Sequence, residues 1–240
     1  MGESILNSIF DRVYVINLDR RKDKMQHVLF QAEKIKLEYI RFAGFTDDTL
    51  GLTGNPNGGR LACAYSHATI WEECIKDKVK SVLILEDDIT FEKNFEERIK
   101  VSWQAVPKDW DIIHFTYNKN SFIFKSNLMN LKRVNKHWYS YDTIGGCMAM
   151  AYRQKGLEAV NTCLNTKNIE KILGEKKGKD IYLAKEKQIY RKLNTYMPTD
   201  EYISYIEIGE SDTKIKRNDT DRHSFISKRG VGAWKWKLRK

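Results

Sequence analysis

Three consecutive carboxylates, Glu86-Asp87-Asp88, follow directly on the apolar run 81–85 (SVLIL). Adjacent carboxylates repel one another, and at the mouth of a buried strand that repulsion is costly unless a cation neutralises it. Hard oxygen donors suit Mg²⁺ or Mn²⁺, which keep positions open for phosphate oxygens. In open α/β sheets, ligands gather at the carboxyl ends of strands, where this run puts the cluster. The same residues also read as a solvated acidic turn leading into a helix over 91–103, a place where Asp and Glu are favoured. Placement alone leaves the two readings level.

Other residue groups carry weaker chemistry. Asn17, Asp19 and Arg20, at the end of a first apolar run, 13–18 (VYVINL), read by themselves as an ordinary polar turn with a helix cap. Ser66 and His67 are neighbours, but no G-x-S-x-G elbow surrounds Ser66, which argues against a Ser-His hydrolase. A histidine in such a helix is more often packed and hydrogen-bonded than catalytic. Asp180, among Gly178, Lys179 and Lys185, reads from its neighbours as a surface acid paired with lysine. His223 lies in a late basic segment and reads by itself as a surface histidine.

These residues need elements to hold them. The run 13–18 is β-branched and aromatic, a buried first strand. Met25, Val28, Leu29, Ala32 and Ile35 then recur at three- and four-residue steps, predicting an amphipathic helix packed on it. A second strand over 37–43 (LEYIRFA) completes a β-α-β unit and with it a parallel sheet. Residues 44–59 are rich in Gly, Asn, Asp and Thr and predict a long loop, the kind that is often functional. A helix with Leu61, Ala64, Ala68, Trp71 and Ile75 on one face carries Ser66 and His67. The central strand 81–85 follows, then a helix through Phe95, Ile99 and Trp103 and a strand over 111–115. Residues 117–140 read as polar and irregular, 143–152 as a further strand, and 154–164 as a helix. The expected fold is α/β, one domain over 10–215 with a mostly parallel central sheet flanked by helices, and a basic aromatic tail over 216–240.

Composition bounds the partners. With 41% hydrophobic and 31% charged residues, the chain is globular rather than fibrous or disordered. Its net charge of +10 favours anionic partners: nucleic acid, an acidic membrane surface, or phosphorylated small molecules. No stretch approaches the roughly 18 apolar residues of a membrane span. The amino end lacks the layout of a secretory signal, so a cytoplasmic location is the expectation. Cys63, Cys74, Cys147 and Cys163 are far apart with no C-x-x-C pair, which predicts buried thiols rather than a zinc knuckle or disulfide framework.

Three blocks, taken in order, resemble glycosyltransferase family 25: Val13-Tyr14-Val15-Ile16-Asn17-Leu18-Asp19-Arg20-Arg21, then Cys63-Ala64-Tyr65-Ser66-His67 with Trp71, then Leu83-Ile84-Leu85-Glu86-Asp87-Asp88-Ile89. Gly145-Gly146 through Gly156, and Asp180-Ile181-Tyr182-Leu183, are similar to later segments of that family. Ser211-Asp212-Thr213 is similar to a triplet of its collagen-type members. The resemblance implies a GT-A-like fold, a UDP-sugar donor, Mn²⁺ or Mg²⁺, and inversion at the anomeric carbon. It makes Asp88 the first metal ligand, with Glu86 beside it and His223 as a further candidate. Asn17, Asp19, Arg20, Ser66, His67, Glu86 and Asp87 would bind the donor, and Asp180 would be the base. The acceptor would be a glycan or a collagen-like protein. Where the family usually has Glu-Ile-Gly before its Cys, this chain has Arg60-Leu61-Ala62.

Two rival classes remain in view. The basic tail with Trp234 and Trp236 fits a nucleic-acid-binding protein, but no RRM, KH or zinc-finger signature is present and an acidic cluster repels phosphate. The same tail is compatible with contact at a membrane surface. A metal-dependent phosphoester hydrolase explains the carboxylates but not the other two blocks.

Overall fold

The computed structural model describes residues 3–55, 58–116, 131–142, 148–173 and 191–205. A short helix α1 (Ile5–Ile9) precedes β1 (Arg12–Asn17), α2 (Lys22–Ile35), β2 (Ile40–Ala43) and α3 (Gly58–Lys76). Then come β3 (Ser81–Glu86), β4 (Ile89–Phe91), α4 (Phe95–Trp103), β5 (Ile112–His114), β6 (Lys132–Arg133) and β7 (Trp138–Ser140). The described chain ends with β8 (Ala149–Arg153), α5 (Gln154–Leu164), α6 (Thr166–Leu173), β9 (Thr195–Pro198) and β10 (Ile203–Tyr205).

Eight strands form one sheet in the order β2-β1-β3-β8-β5-β9-β7-β6. β2, β1 and β3 are parallel; β8 and β7 run against their neighbours, so the other six strands share one direction. The α/β class read from the sequence, with a mostly parallel central sheet flanked by helices, therefore stands. Helices cover both faces, and the strands feed two cores by strict alternation. Val13, Val15, Leu83, Leu85, Ala149 and Ala151 point to the layer with α1, α2 and α4. Tyr14, Ile16, Val82, Ile84, Met150 and Tyr152 point to the layer with α3, α5 and α6. A central strand buried on both faces has to be a continuous apolar run, which is what 81–85 is.

Several details differ from the sequence reading. Leu29 lies on the solvent side of α2, 55% exposed, and polar Lys24 and Gln31 take places on the buried side. Gln31 belongs there because its Oε1 accepts the Phe91 backbone N–H at 3.0 Å, satisfying an edge that would otherwise be orphaned. α1 was not signalled by periodicity; it is held from outside, with Glu96 of α4 accepting from Ser4 Oγ and the Ile5 N–H. The acidic trio does not lead a helix. It turns between β3 and the short strand β4, which pairs with β10 in a separate two-stranded sheet, and α4 starts only at Phe95. The stretch 131–142, read as irregular, contains the antiparallel pair β6–β7. Residues 143–147, the tail 216–240 and the triplet 211–213 lie outside the described residues.

α5 approaches the sheet closely. A Cβ at Gly156 would collide with the Asp111 backbone carbonyl and lie 3.1 Å from Ile112 Cγ1. Backbone cannot swing aside as a flexible side chain can. Gly156→Ala is expected to destabilise the fold by roughly 1–3 kcal/mol through overpacking. Chemical denaturation measures this, and an unchanged midpoint would mean that α5 can shift outward freely.

Candidate functional site

Strand order creates the site. From β1 the chain crosses to β2 on one side, then through α3 to β3 on the other side of β1. The carboxyl ends of β1 and β3 therefore border a topological switch point, where an α/β sheet opens a crevice. Register does the rest: Ile16 stands opposite Glu86, so Asn17 and Asp87, one residue on, meet at the strand ends. The Asn17 amide donates to Asp87 Oδ2 at 2.8 Å.

The cluster is bound together by a lysine. Lys24, from the first turns of α2, places Nζ 2.9 Å from Asp87 Oδ1 and 3.2 Å from Asp88 Oδ2. Its side chain is 9% exposed. Burial pulls the Lys24 ammonium down, but Asp88 and Asp87 outweigh that and raise it. One ammonium cannot satisfy three carboxylates. Asp87 has both Lys24 and Asn17, whereas Asp88 Oδ1 is buried with no hydrogen-bond partner among the described residues. Burial first, and the Glu86 charge second, push the Asp88 carboxyl up to about 6. Burial also drives Glu86 upward, but His67 and Cys63 beside it prevail and the group titrates below its usual range.

The trio lines a cavity of about 90 Å³ with Ile16, Leu18, Arg20, Phe45 and Asp47. That is room for roughly three waters at about 30 Å³ each, a hydrated cation or a phosphate rather than a whole nucleotide sugar. A larger, shallower depression of about 670 Å³ lies at the opposite end of the strands, around Lys80, Trp110 and Arg153. In its wall Lys155 pairs with Asp111 at 2.9 Å and Arg153 lies over the Trp110 ring at 4.3 Å. We place the site at the smaller cavity, where buried charge is unbalanced.

The sequence-derived residues divide into three groups. Glu86, Asp87, Asp88 and Asn17 are brought together, and Arg20 reaches the same cavity wall. Ser66 lines it too, but its buried hydroxyl accepts the Phe45 N–H at 2.9 Å and donates to the Ala62 carbonyl at 2.9 Å, so it ties the 44–55 loop to α3. His67 is 2% exposed, tilted against Trp71, with Nε2 3.5 Å from Glu86 Oε1. Asp19 faces solvent and pairs with Arg41 at 2.5 Å. Asp180 and His223 lie outside the described residues.

Sequence reasoning missed three participants. Lys24 lies in helical phase with Val28, Gln31 and Ile35, so a lysine on a buried stripe was the available signal. Arg41 reaches over from β2 to Asn17 Oδ1 at 3.1 Å and to Asp19, and nothing in its own neighbourhood announces it. Cys63, read as a buried thiol, is half-buried in the cavity wall, and its thiol donates to Glu86 Oε1 at 3.5 Å.

The donors fit a hard divalent ion. Asp88 offers a buried oxygen with no partner among the described residues, beside a second carboxylate, and a hydrated cation fits the space.

Comparison with known proteins bears on the family resemblance. The profile of glycosyltransferase family 25 (LPS biosynthesis protein) matches residues 55–143. Mouse procollagen galactosyltransferase 2 is 25% identical over 175 residues, which are 61% of this chain and 27% of that protein. Human inactive glycosyltransferase 25 family member 3 is 27% identical over 170 residues, 61% of this chain and 28% of that protein. The chain thus spans under a third of the length of these curated relatives. Among solved structures, mannose-1-phosphate geranyltransferase from Thermus thermophilus aligns with a TM-score of 0.40 at 9% identity, over 78% of this chain and 72% of that one. The resemblance to family 25 drawn from the sequence blocks is borne out.

A raised carboxyl at Asp88 has a stability consequence. The folded chain holds this proton more tightly than the unfolded one, so the cost of the buried charge is present in full above about pH 6. It fades as pH falls toward the ordinary aspartate range. In metal-free protein, Asp88→Asn is expected to stabilise the fold by roughly 1–3 kcal/mol at neutral pH. The gain should shrink steadily between about pH 6 and about pH 4. Denaturation midpoints across that range test it; a pH-independent difference would show that the charge carries no such cost.

Proposed function

We propose that this chain, a relative of glycosyltransferase family 25, is a metal-dependent inverting transferase that moves a hexose, galactose as the first choice, from a UDP-sugar to a hydroxyl acceptor. The observation that carries the reading is the buried Asp88 Oδ1, unpartnered among the described residues, in a cavity at the switch point between β1 and β3. The relatives include a galactosyltransferase and an inactive family member, so the activity of this chain rests on its own residues.

On this reading Asp88 holds Mn²⁺ or Mg²⁺ with Glu86 beside it. Bound there, the ion would stabilise negative charge developing on the departing diphosphate. The chain's own groups do the remainder. Lys24 and Asn17 fix Asp87, so the strand end keeps its shape as charge changes nearby. Arg20, at the mouth, gives the phosphates a cationic neighbour. The loop tied down by Ser66 presents Phe45 and Asp47 to the donor side. In the transfer, an acceptor oxygen forms its bond to the anomeric carbon from one face while the bond to the β-phosphate oxygen of UDP breaks on the other. The hydroxyl proton passes to a carboxylate, for which the resemblance nominates Asp180. The acceptor would be a glycan or hydroxylysine of a collagen-like protein.

A UDP-release screen over several nucleotide sugars, with and without Mn²⁺, tests this. One UDP-hexose should turn over only with metal, and Asp88→Ala should lose nearly all of that turnover, of the order of 10³-fold. Equal activity in both proteins would reject the metal assignment. For Asp180→Asn, donor binding should persist while transfer falls sharply; unimpaired transfer would remove it as base.

A further inference from the structure

Glu86 faces away from Asp88 as well as toward it. Its Oε1 lies 3.5 Å from Cys63 Sγ and 3.5 Å from His67 Nε2. Cys63 and His67 are four residues apart on α3 and so share one helix face. One ligand atom from each of the three residues lies within 4.8 Å of the other two.

Two features separate this trio from ordinary packing. His67 is 2% exposed, yet neither ring nitrogen makes a hydrogen bond among the described residues; the 3.5 Å approach to Glu86 is a contact beyond good hydrogen-bond length. A polar ring buried in that way is rare unless a partner is missing. The spacing also has a meaning. With metal bonds of about 2.3 Å to sulfur and about 2.1 Å to nitrogen and oxygen, the edges of a tetrahedron that end on the oxygen are about 3.4 to 3.6 Å. The two separations from Glu86 Oε1 fall in that interval.

We propose that Cys63, His67 and Glu86 form a second cation site, specific for a thiophilic divalent ion such as Zn²⁺ and distinct from the hard-ion position at Asp88. Thiolate and imidazole select Zn²⁺ or Co²⁺ over Mg²⁺. Cys63 and Glu86 both line the cavity, which gives an ion a way in. Loading the site would fasten the middle of α3 to the end of β3 and neutralise the carboxylate that faces Asp88. The site shares Glu86 with the hard-ion position, but it is tested as ion binding in the resting chain and does not need the transferase reading.

Titration of the full chain with Co²⁺ reads the site directly, by thiolate-to-metal charge-transfer absorption. A stoichiometric band should appear, vanish in Cys63→Ser and persist in Cys163→Ser. Zn²⁺ should abolish it, and a large excess of Mg²⁺ should not. A second measurement needs no variant: Zn²⁺ should slow alkylation of Cys63 by about tenfold or more, read on its peptide by mass spectrometry, while Cys163 reacts unchanged. No band, a band retained in Cys63→Ser, or unprotected Cys63 would overturn the site. None of those results bears on UDP release, so the two proposals fail separately.

Discussion

The contact between Lys24 and the paired carboxylates Asp87 and Asp88 decides what the strand end can be. Removing an ion from water is costly by several kcal/mol, and an attraction at 2.9 Å offsets this only when the remaining lone pairs are also met. Asp87 meets that condition, with Lys24 on one oxygen and Asn17 on the other. Asp88 does not, and its Oδ1 is left over among the described residues. The asymmetry turns an otherwise self-contained polar knot into a site with one reactive member. A second lysine in place of Asn17 would set two ammoniums against the three carboxylates and weaken the pull on a cation.

That knot can form only because two crossovers leave β1 in opposite directions. Were β2 and β3 on the same side of β1, the end of β3 would sit beneath a covering connection. As built, α2 and α3 lie on opposite faces of the sheet, and each delivers its side chains from its own layer, Lys24 from one and Cys63 and His67 from the other. Glu86 to Asp88 are thus approached from both sides by groups of different chemistry, an ammonium toward Asp87 and Asp88 and a thiol with an imidazole toward Glu86. Alternation turns Glu86, the last residue of β3, to the α3 layer, while Asp87 and Asp88 in the turn that follows share Lys24.

Much of this was legible in the sequence because burial leaves a period. The run 81–85 announces a central strand and its sudden end in carboxylates announces a strand mouth. The helix over 154–164 and the β-α-β opening are equally direct. What escaped has one physical cause: a polar side chain on a buried stripe looks like an error in the pattern until its distant partner is known. Lys24, 64 residues from Asp88, is the sharpest instance, and Gln31 with the Phe91 backbone is another. The reverse error is Leu29, whose spacing fits the apolar phase although its side chain points outward. β4 was missed for a different reason, since three residues carry too little alternation to be read. Cys63 was discounted because sparse cysteines without a C-x-x-C pair lack a metal signature; a C-x-x-x-H pair on one helix turn acquires one only when a carboxylate from another strand arrives.

The global and local charges of the chain oppose each other, and that opposition orders events on the proposed reading. A net charge of +10 draws anions toward the molecule, whereas the cavity floor holds three carboxylates against one buried ammonium. A diphosphate arriving first would meet that negative floor at short range, where repulsion is little screened because the groups are buried. A divalent ion arriving first meets attraction and reverses the sign of the floor. The cation must therefore precede the nucleotide sugar, and the long-range field and the short-range site select for the two ligands in sequence rather than together.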